Sequence, residues 1–378
     1  MPDVIRVSAP SRVCLFGEHQ DYLGLDVIAA AIDLRFYARI SGRSDQKACI
    51  AIRDSRLDQL NAGNPDGSYD YLTVDLDQPI MYAHHRDYLR STLNVLRRNG
   101  CINGGFDATL DSEIPIGKGM CSSSTMIVVL IKAILEWMGH PAAQEPRQIA
   151  DWAFQAEVSE FGEPGGQMDH IMAAHGGLLH LTFANPFTYR SLAGKPGGCL
   201  ILFDSLQQKE TTRVLAGAKI PTLAAVEALK VHGIDGIRDL AQRPDAEKLA
   251  GSLPEKLSRP LLANLENKRL LTEGLRLLTE QPTDDVVLGR MISQHHAQLR
   301  DGLGISTPVI EEILDCATAH GAWGGKINGS GGGGCCFVTA PESRADEIID
   351  AVQSRGYPAR RLHIDTGARR ENNHESDQ

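Results

Sequence analysis

The sequence predicts a protein of mixed strands and helices that folds as about two domains. Its length of 378 residues is more than twice the roughly 150 residues of a typical domain. Runs of β-branched and aromatic residues, which are typical of strands, alternate along the chain with segments of helical apolar spacing. Glycines and prolines separate these segments and mark the turns between them.

The elements follow from these patterns in order. Strands are predicted over residues 4–10, 13–16, 27–32, 34–40, 106–110, 178–182, 199–203 and 358–364. Helices are predicted over residues 82–98, 126–138, 146–161, from 167 to Gly176, over 308–320 and 345–354, and through most of 222–302. Residues 41–75 are predicted to form edge strands and surface loops, and residues 369–378 to be disordered.

Composition excludes several classes of protein. The net charge of −10 argues against a nucleic-acid or anionic-membrane surface, because either would need a basic patch. None of the 8 cysteines forms a C-x-x-C pair, so neither a zinc ribbon nor a thioredoxin-type site is supported. There is no apolar signal region at the N-terminus and no apolar run near the roughly 18 residues that span a bilayer. We expect a cytoplasmic protein with a small-molecule ligand.

A glycine turn that leads into a serine-rich helix start is the main candidate for a binding site. Residues 115–124 read P-I-G-K-G-M-C-S-S-S, and an apolar helical run follows at once. Unpaired backbone N–H groups and the helix dipole make such a position suited to phosphate, and a serine hydroxyl there can also reach magnesium. The alternative is an ordinary capped helix after a loop.

A second candidate is the polar loop between the N-terminal strands. Glu18, His19 and Asp21 lie between Gly17 and Gly24, directly after an apolar run that is predicted to form a buried strand. Polar side chains pinned at the ends of strands are well placed to meet a ligand. The alternative is a solvated connector.

The glycine-rich stretch over residues 324–334 contains a literal G-x-G-x-x-G at residues 329–334. A dinucleotide site would need a helix after this motif, whereas a strand is predicted there, so we reject that interpretation. The chain contains no P-loop, no H-E-x-x-H and no G-x-S-x-G motif. The histidine pairs at 84–85 and 295–296 lack metal-site spacing and are interpreted as surface or helix-face residues.

The remaining features fit phosphoryl transfer. That reaction needs a phosphate cradle, a carboxylate that holds magnesium and a carboxylate near the accepting hydroxyl. Glu157 and Asp169 form a separated acidic pair. Arg12 is the candidate cation that would keep Asp169 ionised and offset developing charge.

Three motifs, spread over nearly the whole chain, together resemble the GHMP kinase superfamily. Residues 115–124 resemble its P-x-G-x-G-L-G-S-S-A phosphate loop, and residues 329–335 resemble its C-terminal glycine motif. Residues 11–22, S-R-V-C-L-F-G-E-H-Q-D-Y, resemble the galactokinase signature G-R-V-N-L-I-G-E-H-T-D-Y. Residues 87–90 and 166–170 also resemble galactokinase motifs.

The resemblance implies a fold of two α+β domains. The N-terminal domain, expected over residues 1–190, would be ribosomal S5 domain 2-like with a left-handed βαβ unit. The C-terminal domain, expected over residues 191–365, would be ferredoxin-like, and residues 366–378 would form a polar, disordered tail.

The resemblance also implies roles for individual residues. Asp169 would be the catalytic base and Arg12 its stabilising partner, while Glu18, His19 and Asp21 would bind sugar hydroxyls. Ser123 and Glu157 would hold Mg²⁺. ATP would be bound by Pro115, Gly117, Lys118, Gly119, Cys121, Ser122, Ser123 and Ser124.

Departures from the galactokinase signature leave the substrate open. They include Cys14, Gln20 and His170, and Lys326 with the glycines after it is nearer the mevalonate kinase motif. We expect an ATP-dependent sugar kinase acting at the anomeric hydroxyl, with galactose, a uronic acid, arabinose or another hexose as substrate. The alternatives are a mevalonate-type kinase and a non-catalytic sugar and ATP sensor.

Overall fold

A computed structural model describes residues 4–52, 70–115, 117–163, 165–194, 196–208, 211–280 and 283–372. The chain forms two compact units, each assembled from separate stretches of sequence. The first unit contains Met1–Arg12, Ala31–Gly177 and Ile364–Gln378. The second unit contains Val13–Ala30 and Leu178–His363.

The strands are named in chain order. They are β1 (Ile5–Phe16), β2 (Val27–Gly42), β3 (Lys47–Ile52), β4 (Asp70–Asp75), β5 (Phe106–Ser112), β6 (Leu178–Thr182), β7 (Thr188–Ser191), β8 (Cys199–Asp204), β9 (Gly324–Ile327), β10 (Cys335–Ala340), β11 (Ala359–Leu362) and β12 (Arg369–Arg370).

The α-helices are named in the same way. They are α1 (Tyr88–Arg98), α2 (Ser122–Met138), α3 (Pro146–Glu157), α4 (Met168–His175), α5 (Thr211–Ala228), α6 (Ile237–Leu240), α7 (Ala246–Gly251), α8 (Glu255–Thr279), α9 (Asp285–Ala297), α10 (Pro308–Ala319) and α11 (Ala345–Gln353). In the part of the chain that the structure describes, no helix is both long enough and apolar enough to cross a membrane.

The first unit is built on a sheet with strand order β12-β1-β2-β5-β3-β4. β3 and β5 pair in parallel, and α1 lies on the connection between them, as expected for the predicted βαβ unit. α2 is buried at every position from Ser124 to Leu135, which explains its nearly uninterrupted apolar sequence. It packs against α1, α3 and α4.

Two of the predicted strand breaks are wrong. Residues 4–10 and 13–16 belong to one strand, β1, which continues through Ala9, Pro10 and Ser11 instead of turning there. Residues 27–32 and 34–40 likewise form one strand, β2. Ala9, Pro10 and Ser11 are all buried, so burial in the sheet overrides the local turn preference of an Ala-Pro-Ser sequence.

Helix and strand boundaries elsewhere differ mainly at their ends. The helix predicted over residues 82–98 begins only at Tyr88, where Asp87 caps it by accepting a hydrogen bond from Arg90 N. The helix predicted to end at residue 161 ends at Glu157 and is followed by a short 3₁₀ helix, Ser159–Phe161. Residues 53–69, part of the stretch predicted as edge strands and loops, lie outside the described residues.

The C-terminal segment is ordered through residue 372, so the predicted disordered tail is wrong for residues 366–372. β12 pairs with β1, and the buried guanidinium of Arg35 holds the segment before it. Arg35 Nη1 donates to Asp365 Oδ2 at 2.6 Å and to the Thr366 carbonyl at 3.0 Å. Its Nη2 donates to the Gly367 carbonyl at 2.8 Å, and its Nε to Ser8 Oγ at 2.7 Å. Polar composition alone could not reveal this buried partner; residues 373–378 lie outside the described residues.

The second unit contains a four-stranded antiparallel sheet with strand order β11-β8-β10-β9. This is the order of a ferredoxin-like sheet, as predicted for the C-terminal part. α10 and α11 pack on this sheet around a core that includes Ile201, Phe203, Ile313 and Val338. A separate apolar core joins α5, α6, α7 and α8. β6 pairs with the first residues of β2 and with β7.

The compact units divide the chain differently from the predicted boundary between residues 190 and 191. Residues 13–30 belong to the second unit, although they were expected in the N-terminal domain, and so do residues 178–190. The difference arises because β1 and β2 are long enough to contribute residues to both units. A single boundary in sequence cannot describe such interleaving.

Replacement of Arg35 by methionine is expected to lower the free energy of unfolding by about 3–5 kcal/mol, because it leaves Asp365 without its buried cation. Arg369 provides the matched control, since it pairs with the same carboxylate but is 42% exposed. Arg369→Met is expected to cost less than about 1 kcal/mol. Urea denaturation followed by circular dichroism measures both variants. Equal losses would contradict the role given to Arg35.

Candidate active site

The turn before α2 has a backbone suited to binding an anion. Gly117 and Gly119 adopt left-handed conformations with φ of 69° and 83°, and Cys121 does so with φ of 49°. Left-handed residues at alternating positions turn successive N–H groups toward the same side of the chain. Lys118 is half-buried between the two glycines and adds a positive charge. Pro115 begins the turn, and Ile116 lies outside the described residues.

The start of α2 has an unsatisfied buried hydroxyl. Cys121 occupies the N-cap position, but its side chain does not cap the helix. Ser122 is buried, and its Oγ has no hydrogen-bond partner in the structure. Buried hydroxyl groups are almost always hydrogen-bonded, so this atom fits a ligand that completes it. A phosphate oxygen at a helix N-terminus would do so.

Arg12 connects the candidate base to this turn. Its Nε donates to Asp169 Oδ1 at 2.8 Å, and its Nη1 donates to the Gly119 carbonyl at 3.2 Å. The side chain of Arg12 is 4% exposed and that of Asp169 is 27% exposed. Asp169 lies in the first turn of α4. The predicted pairing of Arg12 with Asp169 is therefore present, and the carboxylate remains accessible.

Glu157 ends α3 as a buried carboxylate with several donors around it. Its Oε2 accepts from Ser124 Oγ at 2.6 Å and from His170 Nε2 at 2.8 Å. Burial alone would raise the pKa of Glu157, but the hydrogen bond and charge of His170 and the hydrogen bonds from Ser123 and Ser124 outweigh it and lower the pKa. Glu157 is thus held ionised beside Ser123.

These residues fit a magnesium site that is completed by a nucleotide. Mg²⁺ commonly uses one or two carboxylates together with substrate phosphates and water. Glu157 and Ser123 supply an ionised carboxylate and a hydroxyl next to the phosphate-binding turn. Within the described ranges there is no cluster of three or more His, Cys, Asp or Glu side chains that could hold a metal ion without such help.

In the second unit, the predicted substrate residues lie on a firmly held loop. Glu18 is buried, and its Oε2 accepts from Lys326 Nζ at 2.8 Å. His19 has a left-handed backbone with φ of 64°, which is uncommon for a residue with a side chain. Its Nδ1 lies 2.7 Å from Tyr22 Oη, and its Nε2 lies 3.1 Å from the Ser330 carbonyl. Asp21 Oδ1 accepts from the backbone N–H of Tyr22.

Tyr22 stays protonated beside these groups. Burial, followed by the charges of Asp21 and Glu18, raises the pKa of Tyr22 well above its ordinary value. Its hydroxyl can therefore donate a hydrogen bond to the ring of His19. His19, with its left-handed backbone, is therefore held by two contacts. One is to Tyr22 within the loop, and the other is to the Ser330 carbonyl of the glycine-rich segment.

Sequence reasoning did not find several residues that hold the loop. His295 was interpreted as a surface or helix-face residue, but it is fully buried and its Nε2 accepts from Gly17 N at 3.1 Å. Burial, followed by the charges of Lys326, His296 and His19, lowers the pKa of His295 well below its ordinary value, consistent with a neutral acceptor. Asn328 Oδ1 accepts from Cys14 N at 3.0 Å. No local pattern signals contacts between residues about 300 positions apart.

The structure thus brings the predicted residues together in two groups. In the first unit, hydrogen bonds link Arg12 to Asp169 and to Gly119 of the turn, and separately link Glu157 to Ser124 at the start of α2. In the second unit, Glu18 is hydrogen-bonded to Lys326 of β9. His19 contacts the Ser330 carbonyl in the segment that follows β9. An anion-binding helix start, an ionised carboxylate and an arginine-paired aspartate are the features of a phosphoryl-transfer enzyme.

Comparison with known proteins agrees with this class. The GHMP kinases N terminal domain matches residues 87–177, and the GHMP kinases C terminal domain matches residues 275–358. The galactokinase galactose-binding signature matches residues 2–41. The chain belongs to the GHMP kinase family, which confirms the resemblance and the two-domain α+β fold. It is an ATP-dependent phosphotransferase with a hydroxyl group as acceptor.

Similar proteins fall into two groups by name. A mevalonate kinase from Thermococcus onnurineus is 27% identical over 97% of this chain and 98% of its own length. A galactokinase from a Roseiflexus species is 29% identical over 91% of this chain and 85% of its own length. The solved structure of Lactococcus lactis galactokinase complexed with galactose has a TM-score of 0.80 at 18% identity, covering 97% of this chain and 95% of its own. That structural likeness supports the fold alone.

The unpartnered hydroxyl of Ser122 gives a test of the phosphate-binding turn. Ser122→Ala is expected to weaken ATP binding about tenfold or more, the loss that follows removal of a hydrogen bond to a charged oxygen. Because Ser122 Oγ has no hydrogen-bond partner among the described residues, the free energy of unfolding without nucleotide is expected to change by less than the roughly 0.5 kcal/mol of a weak hydrogen bond. Isothermal titration calorimetry and thermal unfolding measure the two quantities.

Ser124→Ala is the matched variant, since Ser124 Oγ donates to Glu157. Its loss is expected to lower the free energy of unfolding by about 1.5–3 kcal/mol, as for a hydrogen bond to a charged group. If Ser122→Ala leaves ATP binding unchanged, the turn does not bind phosphate through this hydroxyl.

Proposed function

We propose that the protein is a sugar kinase that transfers the γ-phosphate of ATP to a sugar hydroxyl, most favourably the anomeric one. Asp169 orients the acceptor hydroxyl and takes its proton as the oxygen attacks the γ-phosphorus. The bond from phosphorus to the leaving oxygen breaks, and its electron pair departs with ADP. The proton is transferred late, when the oxygen is already bonding to phosphorus.

The ion pair between Arg12 and Asp169 is the observation that carries the proposal. Asp169 is 27% exposed and can meet a substrate, whereas Arg12 is almost completely buried. Arg12 also bonds to the Gly119 carbonyl, so the base and the phosphate-binding turn share one anchor. Such preorganisation fixes the reacting groups before the transition state forms.

The remaining residues bind substrate and nucleotide. Ser122, Ser123 and the backbone of Gly117 and Gly119 hold the triphosphate, and Mg²⁺ would be held by Ser123 and Glu157. When bound, that ion neutralises charge on the phosphates. The polar loop of the second unit selects the acceptor.

Glu18, His19 and Asp21 support a polyhydroxylated acceptor. The carboxylates of Glu18 and Asp21 can accept several hydrogen bonds from sugar hydroxyls, and His19, whose ring nitrogens contact Tyr22 and the Ser330 carbonyl, holds the loop between them. The match of residues 2–41 to the galactose-binding signature supports the same assignment. Galactose, a uronic acid, arabinose and other hexoses remain candidates of this class.

Mevalonate is the second candidate acceptor, because the mevalonate kinase from Thermococcus onnurineus aligns with 97% of the chain. An acceptor with fewer hydroxyl groups would form fewer hydrogen bonds with the carboxylates of the loop, and sites built for hydrogen bonding discriminate against such ligands. The loop chemistry therefore favours a sugar.

The test is ADP release with Mg-ATP against galactose, glucuronic acid, arabinose and mevalonate, for the natural protein and for Asp169→Asn. Turnover with a sugar is expected, and the variant is expected to lose about 100-fold or more, the typical contribution of a positioned base. The loss is expected in kcat with ATP binding retained, because an asparagine side chain keeps the shape of the aspartate but not its charge.

Asp107→Asn is the control. Asp107 is an aspartate of the same unit that pairs with Arg43 at 2.7 Å on the surface, so the activity of this variant is expected to stay within about twofold of the natural protein. Turnover with mevalonate alone would refute the sugar assignment. Binding of sugar and ATP without turnover would indicate a sensor.

A further inference from the structure

Lys326 is a charged residue in a fully buried position of the second unit. Its side chain is 0% exposed, and its Nζ donates to Glu18 Oε2 at 2.8 Å and to the Cys14 carbonyl at 2.9 Å. The ammonium also lies 5.4 Å from the ring centroid of Phe337, its cross-strand neighbour. Two oxygen acceptors and an aromatic face satisfy the three N–H groups of a lysine.

The strand that carries Lys326 is held on both sides. β9 pairs with β10 on one side. On its other edge, Gly325 N donates to Ser293 Oγ at 3.0 Å and Ile327 N donates to His296 Nδ1 at 3.3 Å, both side chains belonging to α9. The residues before and after Lys326 are therefore fixed, and the ammonium has a defined position.

Glu18, which accepts from Lys326, lies in a turn of the polar loop, outside any helix or strand. Residues 326–330 contact this loop and the end of β1 before it through four hydrogen bonds. They join Lys326 to Glu18, Lys326 to the Cys14 carbonyl, Asn328 to Cys14 N and the Ser330 carbonyl to His19. Only the first of these contacts joins two full charges. Removal of one partner from a buried ion pair is much more disruptive than loss of a neutral hydrogen bond.

We propose that Lys326 is a positioning residue that sets substrate affinity by fixing the carboxylate of Glu18. One oxygen of Glu18 is bound to the ammonium, which determines how the carboxylate is oriented toward an acceptor hydroxyl. Without the lysine, a carboxylate buried to this degree would protonate or turn away, because an unpaired buried charge is unfavourable. The inference rests on the proposed function of Glu18 in acceptor binding.

A purely structural lysine would give different results. It would lower stability when removed, but it would affect the apparent affinities for acceptor and ATP alike. If Lys326 acts through Glu18, its replacement changes the acceptor KM selectively. That effect is absent when Glu18 has already been replaced by the uncharged glutamine. The two possibilities are separated by a double-mutant cycle with Lys326→Met and Glu18→Gln.

The kinetic experiment uses whichever of galactose, glucuronic acid, arabinose and mevalonate the natural protein turns over fastest. Lys326→Met is expected to raise the KM for that acceptor about tenfold or more, as for truncation of one partner of a buried charge pair, with the KM for ATP within about twofold. The double variant is expected to have the acceptor KM of Glu18→Gln alone. It is also expected to be more thermostable than either single variant, because both buried charges are then absent.

Lys132→Met is the matched control. Lys132 is also a buried lysine, with Nζ 2.7 Å from Glu136 Oε1 and 2.6 Å from the Ala143 carbonyl, but it lies in the first unit on α2. Its replacement is expected to lower the melting temperature without changing the acceptor KM. The inference would be overturned if Lys326→Met left the acceptor KM within twofold of the natural value. It would also be overturned if the effects of the two substitutions on the acceptor KM multiplied in the double variant.

A crystal structure of Lys326→Met separates this inference from the proposed function. The Glu18 carboxylate is expected to leave the position it occupies beside residue 326. If it stays there, Lys326 does not position it, whichever acceptor the enzyme uses. If none of the four acceptors is turned over, the proposed function fails, and the position of Glu18 still decides the role of Lys326.

Discussion

The contacts of the buried Arg12 guanidinium are the interactions on which the position of Asp169, the proposed base, depends. A cation in such a position requires compensating oxygens, and Asp169 and the Gly119 carbonyl provide them. Ser11, the residue before it, donates to the Met120 carbonyl at 2.8 Å. Adjacent residues of one strand therefore hold both the base and the turn. The positions of Ser11 and Arg12 depend on β1 continuing without a break through Pro10.

The same principle recurs at the other carboxylates. Glu157 is kept ionised by His170 and two serines, and Glu18 is paired with Lys326. Each partner lies in the same compact unit as the carboxylate that it holds. Charges fixed in this way cost stability during folding, but they need little reorganisation when a charged substrate binds. The buried charges of Arg12, Glu157 and Lys326 are thus better explained by function than by stability, whereas that of Arg35 holds the C-terminal segment in place.

The sequence predicted most of this architecture because much of the signal is local. The apolar run of α2, the glycines of the turn and the alternation of β8, β10 and β11 with helices are visible within short windows. The pairing of Arg12 with Asp169, 157 positions apart, came from chemical reasoning and from the family motif, and the structure contains it. The strand break at residues 9–11 and the disorder predicted for residues 366–372 were wrong because burial against partners distant in sequence decided both. Lys326 was noticed only as a motif difference, since nothing local pairs it with Glu18.

The choice between a sugar and mevalonate cannot follow from overall similarity, because the named relatives of both kinds are almost equally identical, at 27% and 29%. Local charge is more informative. Mevalonate carries a carboxylate, which needs a cation, and two lysines that contact the loop in the described part of the chain are already engaged. Lys326 is bound to Glu18, and the Lys219 ammonium lies over the Tyr22 ring, 5.0 Å from its centroid. A neutral sugar needs no additional cation, and in the proposed site its hydroxyl groups can donate to the carboxylates of Glu18 and Asp21. By the same argument, a neutral sugar is a better fit to this loop than a uronic acid.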